Sequence, residues 1–117
     1  MYNRKELIQK AIEAKSKALP TYSNFHVGAA LLTKDGKVYQ GANIETSSYS
    51  LTICAERTAL FTSILEGERK FKAIAVAGDT DDYLPPCGAC RQVLSDLCGG
   101  NLDVILVNKK GKSKKLK

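Results

Sequence analysis

Between residues 53 and 107 the chain alternates helical and strand-like segments, and that alternation restricts its fold more than any other feature. Residues 53 to 66 are rich in Ala, Leu and Phe and predict a helix stopped by Gly67. Lys72 to Ala77 (KAIAVA) predicts a buried strand, residues 88 to 98 a helix stopped by Gly99-Gly100, and Leu102 to Val107 another strand. Upstream, Leu7, Ile8, Ala11, Ile12, Ala14 and Ala18 form a helical apolar stripe over residues 3 to 18. Asn3 suits the N-cap with Glu6 three residues on, and Pro20 ends the element. Val27 to Thr33 and Val38 to Ala42 predict two strands joined at Asp35-Gly36, a pair that supplies the positive φ a tight hairpin needs. The order implies an α/β fold, a three-layer α/β/α sandwich whose central mixed sheet joins an antiparallel hairpin to crossover-connected strands. Lysines suit a sheet edge, so Lys112 to Lys117 fits a final edge strand. With no repeat or linker before the lysine-rich end, residues 1–117 read as a single domain.

The net charge of +6 invites a nucleic-acid reading, but its placement argues against one. Six of the 18 basic residues are Lys109, Lys110, Lys112, Lys114, Lys115 and Lys117, leaving 12 basic against 12 acidic residues in the body. A nucleic-acid binder carries its basic stripe on the folded face, so the tail reads as a solvated lysine run and no nucleic-acid partner is expected. No apolar run approaches the ~20 residues of a membrane span. The opening MYNRKELIQK is too charged for a secretory leader, so a cytoplasmic, membrane-free setting is expected.

In a reducing compartment, four cysteines point to metal or redox chemistry before disulfides. Cys87 and Cys90 form a C-x-x-C pair behind Pro86, while Cys54 and Cys98 stand apart. Cys54-Ala55-Glu56 and Pro86-Cys87-Gly88-Ala89-Cys90 each open a predicted helix, where the macrodipole favours a thiolate. Three thiolates and one open position describe a catalytic zinc site. Glu56 lies in the first turn after Cys54, where its carboxylate can reach a water at the open position without ligating the metal. C-x-E followed by P-C-x-x-C is the pattern of zinc-dependent nucleoside and nucleobase deaminases.

Four stretches extend the match: FHVGAALL (25 to 32), GANIE (41 to 45), TICAERTAL (52 to 60) and PCGACRQVL (86 to 94). In order and spacing the chain resembles the small, homotetrameric, three-cysteine cytidine deaminases over roughly residues 3 to 108. The resemblance implies that Cys54, Cys87 and Cys90 hold one Zn²⁺ per subunit and that Glu56 is the catalytic proton shuttle. It implies a small nucleoside substrate, cytidine or 2′-deoxycytidine, with Phe25 beside the pyrimidine, Asn43 and Glu45 on the ribose, and the backbone N–H of Ala55 facing the ligand. It also implies a role in pyrimidine salvage and a homotetramer, with Tyr49 near a subunit interface. Members of the family usually continue past the position of Lys117, so the domain is expected to be short at its C-terminus.

Charge arithmetic adds one residue. Zn²⁺ with three thiolates carries a net negative charge, which blunts its power to acidify water. Arg57 and Arg91 each lie beside a motif, and Arg57 in particular is expected to hydrogen-bond a ligand sulfur and draw off that charge. His26, the only histidine, reads as a solvent-facing strand residue, and Cys98 as a buried thiol. Other uses of these residues remain open: a deaminase of modified bases or of polynucleotides, a zinc-stabilised binding module, or a thiol–disulfide protein built on Cys87 and Cys90. The last leaves Cys54-x-Glu56 unexplained.

Overall fold

A computed structural model describes residues 2–21, 25–45, 54–79, 88–98 and 102–116. Its elements are α1 (Arg4–Ala14), β1 (Gly28–Thr33), β2 (Val38–Ala42), α2 (Ala55–Leu65), β3 (Phe71–Ala77), α3 (Gly88–Cys98), β4 (Asp103–Val107) and β5 (Ser113–Leu116). Asn3 caps α1 as its sequence suggests, its side chain accepting the Glu6 N–H at 3.1 Å. The helix is shorter than the apolar stripe predicts. After Ala14 the chain tightens into a 3₁₀ turn, Lys15–Lys17, and Ala18 is extended. That extension lets Leu19 pair in parallel with Ile44, a nonlocal bridge that pulls the chain out of the helix before Pro20 is reached.

The five strands lie in the order β2-β1-β3-β4-β5. β1 pairs antiparallel with β2 and β3, β3 parallel with β4, and β4 antiparallel with β5, so the sheet is mixed as expected. β5 is one of the two edge strands, β2 being the other, and Lys115 on it meets Asp103 of β4 at 3.3 Å. At the β1–β2 turn Gly36 has φ +94°, the conformation that Asp35-Gly36 provides.

Side-chain alternation sorts the strands into two cores. Ala30, Leu32, Ala73, Ala75, Ala77, Ile105 and Val107 pack under Leu7 and Ala11 of α1. Ala29, Leu31, Ile74, Val76 and Leu106 pack against Ala55, Ala59 and Leu60 of α2 and Leu94 of α3. α1 therefore covers one face, and α2 and α3 the other, giving the three layers. A register shift between Leu32 and Thr33 sets Phe71 with the α2–α3 core, out of step with the rest of β3.

One close approach decides where α2 sits. A Cβ on Gly41 of β2 would lie 2.9 Å from the Cα of Ala59 and nearer still to the Ala55 carbonyl oxygen and the Ala59 nitrogen. Only glycine lets the first turns of α2 rest flush on the end of β2. No helix among the described residues is long and apolar enough to cross a membrane.

Candidate active site

The register gathers the chemistry at one end of the sheet. β2 ends at Ala42, β3 at Ala77 and β4 at Val107, and these ends lie beside the start of β1 at Gly28. Because Gly41 seats Ala55 and Ala59, α2 also begins there. α3 leaves the end of β3 and must return the chain to the start of parallel β4, which puts its N-terminus at the same end. Helix N-termini and strand C-termini thus converge, the usual location of a ligand crevice in α/β sheets.

Cys54 is the N-cap of α2, with extended backbone (φ −75°, ψ 155°), and its carbonyl accepts the Thr58 N–H at 3.0 Å. Its Sγ accepts a hydrogen bond from Arg57 Nη2 at 3.4 Å. A helix N-terminus and a guanidinium both favour the thiolate, the form that binds metal. Glu56, in the first turn, is only 5% exposed, and Ala55 is fully buried. Cys87 and Tyr49 lie outside the described residues, as do the side chains of Cys90 and Arg91; the backbone places Cys90 in the first turn of α3. The donor set fits zinc by its chemistry. The Cys54 sulfur sits at a helix start beside a guanidinium, and Cys90, in the first turn of the neighbouring helix, belongs by sequence to a C-x-x-C pair.

Phe25 and Val27 precede β1 in step with Ala29 and Leu31, and Val27 packs on the α2–α3 core. Phe25 stands two positions before Val27, the spacing at which an extended chain repeats a face. Asn43 is nearly buried at 8% exposure. Its Oδ1 accepts the Val27 N–H at 2.9 Å, and its Nδ2 donates to the Phe25 carbonyl at 2.8 Å and to Glu45 Oε2 at 3.3 Å. The amide thus holds both the Phe25 segment and the Glu45 carboxylate.

His26 lies just outside β1, and its side chain is 43% exposed, in keeping with the solvent-facing expectation, but it also has a partner. Its N–H donates to Asp79 Oδ2 at 2.7 Å, and its ring Nδ1 lies 3.2 Å from the same oxygen. Asp79 is a residue that motif reading misses, because its partners are 53 and 64 positions away. Cys98 is half-buried, and burial pushes its thiol up to about 11, so it is poorly suited to ligate metal.

A family model for the "cytidine and deoxycytidylate deaminase zinc-binding region" matches residues 1–105. The chain belongs to this family. It is 56% identical over 109 residues to a cytidine deaminase of Halalkalibacterium halodurans, covering 93% of this chain and 83% of that protein. Against a cytidine deaminase of Sporosarcina psychrophila the identity is 52% over 106 residues, covering 91% and 78% of the two chains. The crystal structure of cytidine deaminase from Burkholderia pseudomallei superposes with a TM-score of 0.95 at 48% identity, covering 99% of this chain and 93% of that one. The three-layer fold is therefore that of a cytidine deaminase, and this chain is an enzyme of the deaminase family.

Proposed function

We propose that the chain catalyses hydrolytic deamination of cytidine and 2′-deoxycytidine, giving uridine or 2′-deoxyuridine and ammonia, as a step of pyrimidine salvage. The observation that carries this reading is the buried carboxylate of Glu56, two residues after Cys54, which stands at the N-cap position of α2 with its sulfur hydrogen-bonded by Arg57. Cys54, Cys87 and Cys90 would hold one zinc ion per subunit, which would supply the polarisation that makes a water nucleophilic near neutral pH. Glu56 takes a proton from that water and delivers it to N3 of the pyrimidine, which makes C4 electrophilic. As oxygen bonds to C4, Glu56 carries the second proton to the amino group, the C4–N bond breaks and ammonia leaves. A buried carboxylate suits this shuttle because both of its protonation states are used within one cycle.

The remaining assignments rest on the family resemblance and are supported by the position of these residues near one end of the sheet. Phe25 flanks the pyrimidine. Glu45, steered by Asn43, pairs with sugar hydroxyls, and a site built for such groups rejects ligands that lack them. The Ala55 N–H is one of the outward-facing donors at the start of α2 and hydrogen-bonds the ring. Arg57 offsets the excess negative charge of three thiolates. The working form is a cytoplasmic homotetramer that takes small nucleosides and neither nucleic acid nor membrane. Incubation of the purified chain with a panel of nucleosides tests the reading: uridine and ammonia form in equal amounts from cytidine. A chain that deaminates only modified bases or oligonucleotides, or nothing at all, refutes it.

A further inference from the structure

The sheet does not end cleanly beside Phe25. Register carries β1 backwards from Gly28, which faces Ala42 on one side and Ala77 on the other. One step further Val27 faces Asn43, and two steps further His26 faces Asp79, beyond the last backbone pairs of β2 and β3. One backbone bond continues the β2 side, the Asn43 N–H donating to the Val27 carbonyl at 3.2 Å, and two side chains supply the rest of the pairing. Asn43 bonds the Val27 N–H and the Phe25 carbonyl from the β2 side, and Asp79 bonds the His26 N–H from the β3 side. Three consecutive residues are thus pinned from alternate flanks. Asp79 is itself anchored, because Lys15 Nζ lies 3.4 Å from Asp79 Oδ1 and 3.4 Å from the Gly78 carbonyl oxygen. The Gly78 N–H in turn bonds the Val107 carbonyl at 3.2 Å.

Resting on the deaminase reading above, we propose that Asp79 is a positioning residue for substrate. By fixing the His26 backbone it holds the adjoining Phe25, which flanks the pyrimidine in that reading, so its effect falls on nucleoside binding and not on bond making. Burial works against the charged carboxylate, but the His26 N–H and Lys15 outweigh it and hold Asp79 below the usual carboxylate range. The acceptor is therefore an anion at neutral pH, and its bond to His26 is charge-assisted.

Asp79→Ala removes the acceptor, Asp79→Asn keeps an oxygen for the His26 N–H without the charge, and Lys15→Met removes the ion pair alone. With cytidine, Asp79→Ala raises KM roughly tenfold, the weight of one charge-assisted hydrogen bond, and leaves kcat within about threefold. Bound zinc is unchanged in this variant. Asp79→Asn and Lys15→Met keep KM within about threefold of the parent. Should Asp79→Ala fail to fold, the near-isosteric Asp79→Leu gives the same split. A variant that lowers Tm while KM stays unchanged overturns the proposal, as does Asp79→Asn raising KM as much as Asp79→Ala. The parent chain runs in the same assay. No turnover there refutes the deaminase reading alone, and His26 amide hydrogen exchange then decides for Asp79. Asp79→Ala is expected to speed that exchange by about tenfold or more while Asp79→Asn does not, and equal rates overturn the proposal.

Discussion

Gly41→Ala isolates the contact that seats the active-site helix. The new methyl carbon would sit 2.9 Å from the Cα of Ala59, and closer to the Ala55 carbonyl oxygen and Ala59 nitrogen. Carbon atoms pack at about 3.5–4.0 Å, so α2 must retreat by roughly 1 Å. The obstructing atoms are backbone, which no rotamer change can move aside. Overpacking costs about 1–3 kcal/mol, and a rigid obstruction puts this site near the top of that range, a fall in Tm on the order of 10 °C. The same retreat carries Cys54 and Glu56 away from the sheet end, and a displacement of about 1 Å at reacting groups costs on the order of 100-fold in rate. Thermal melting and kcat/KM for cytidine are the assays, with Gly67→Ala as the control. Gly67 has φ +99° and nothing within 4 Å of a built Cβ, so its substitution costs about 1 kcal/mol of backbone strain and leaves kcat/KM unchanged. If Gly41→Ala melts and turns over like the parent, α2 does not depend on that close seating and the reasoning fails.

Arg57→Ala is expected to lower zinc affinity by about 10–100-fold, with kcat falling alongside, as read by chelator competition and steady-state kinetics; unchanged zinc affinity and kcat refute the charge-draining role. Tyr2→Phe removes the 2.9 Å hydrogen bond that, more than any other influence, holds the Asp103 carboxyl below its usual range. A depressed carboxyl contributes stability above its unfolded value and loses it as pH falls through the folded one. The variant is therefore less stable at pH 7 by about 0.5–1 kcal/mol, allowing for solvent screening, and the gap closes below about pH 4 in chemical-denaturation series. With its pKa raised to about 11, Cys98 is only about 0.1% thiolate at pH 8. Alkylation of Cys98 at pH 8 is therefore far slower than that of a free cysteine, and Cys98→Ala leaves zinc content and activity intact.

Local chemistry made much of this molecule readable before its coordinates. The Asn3 cap, the Asp35-Gly36 turn and the lysine-bearing edge strand each depend on residues a few positions apart, and each is where its sequence places it. Cys54 at the cap of α2 follows from the same kind of reading. The features that sequence reading misses are nonlocal. α1 stops at Ala14 because Leu19 is drawn to Ile44, which no periodicity within residues 3 to 18 encodes. The tightness at Gly41 exists only once α2 is laid on β2, and Asp79 meets His26 only because antiparallel register brings the ends of β1 and β3 together. Asn43 shows the intermediate case. The family resemblance implies a ribose contact for it, and what the structure shows is the amide bracing the Phe25 segment and the Glu45 carboxylate.

Ammonia release from cytidine by the parent chain and by Glu56→Gln, each with its zinc content measured, puts the role of the buried carboxylate to the most direct test. The expected result is turnover by the parent, a loss of at least about 100-fold in kcat for Glu56→Gln, and equal zinc in the two proteins. Glu56→Gln turning over at the parent rate with its zinc intact would contradict the proton-shuttle mechanism.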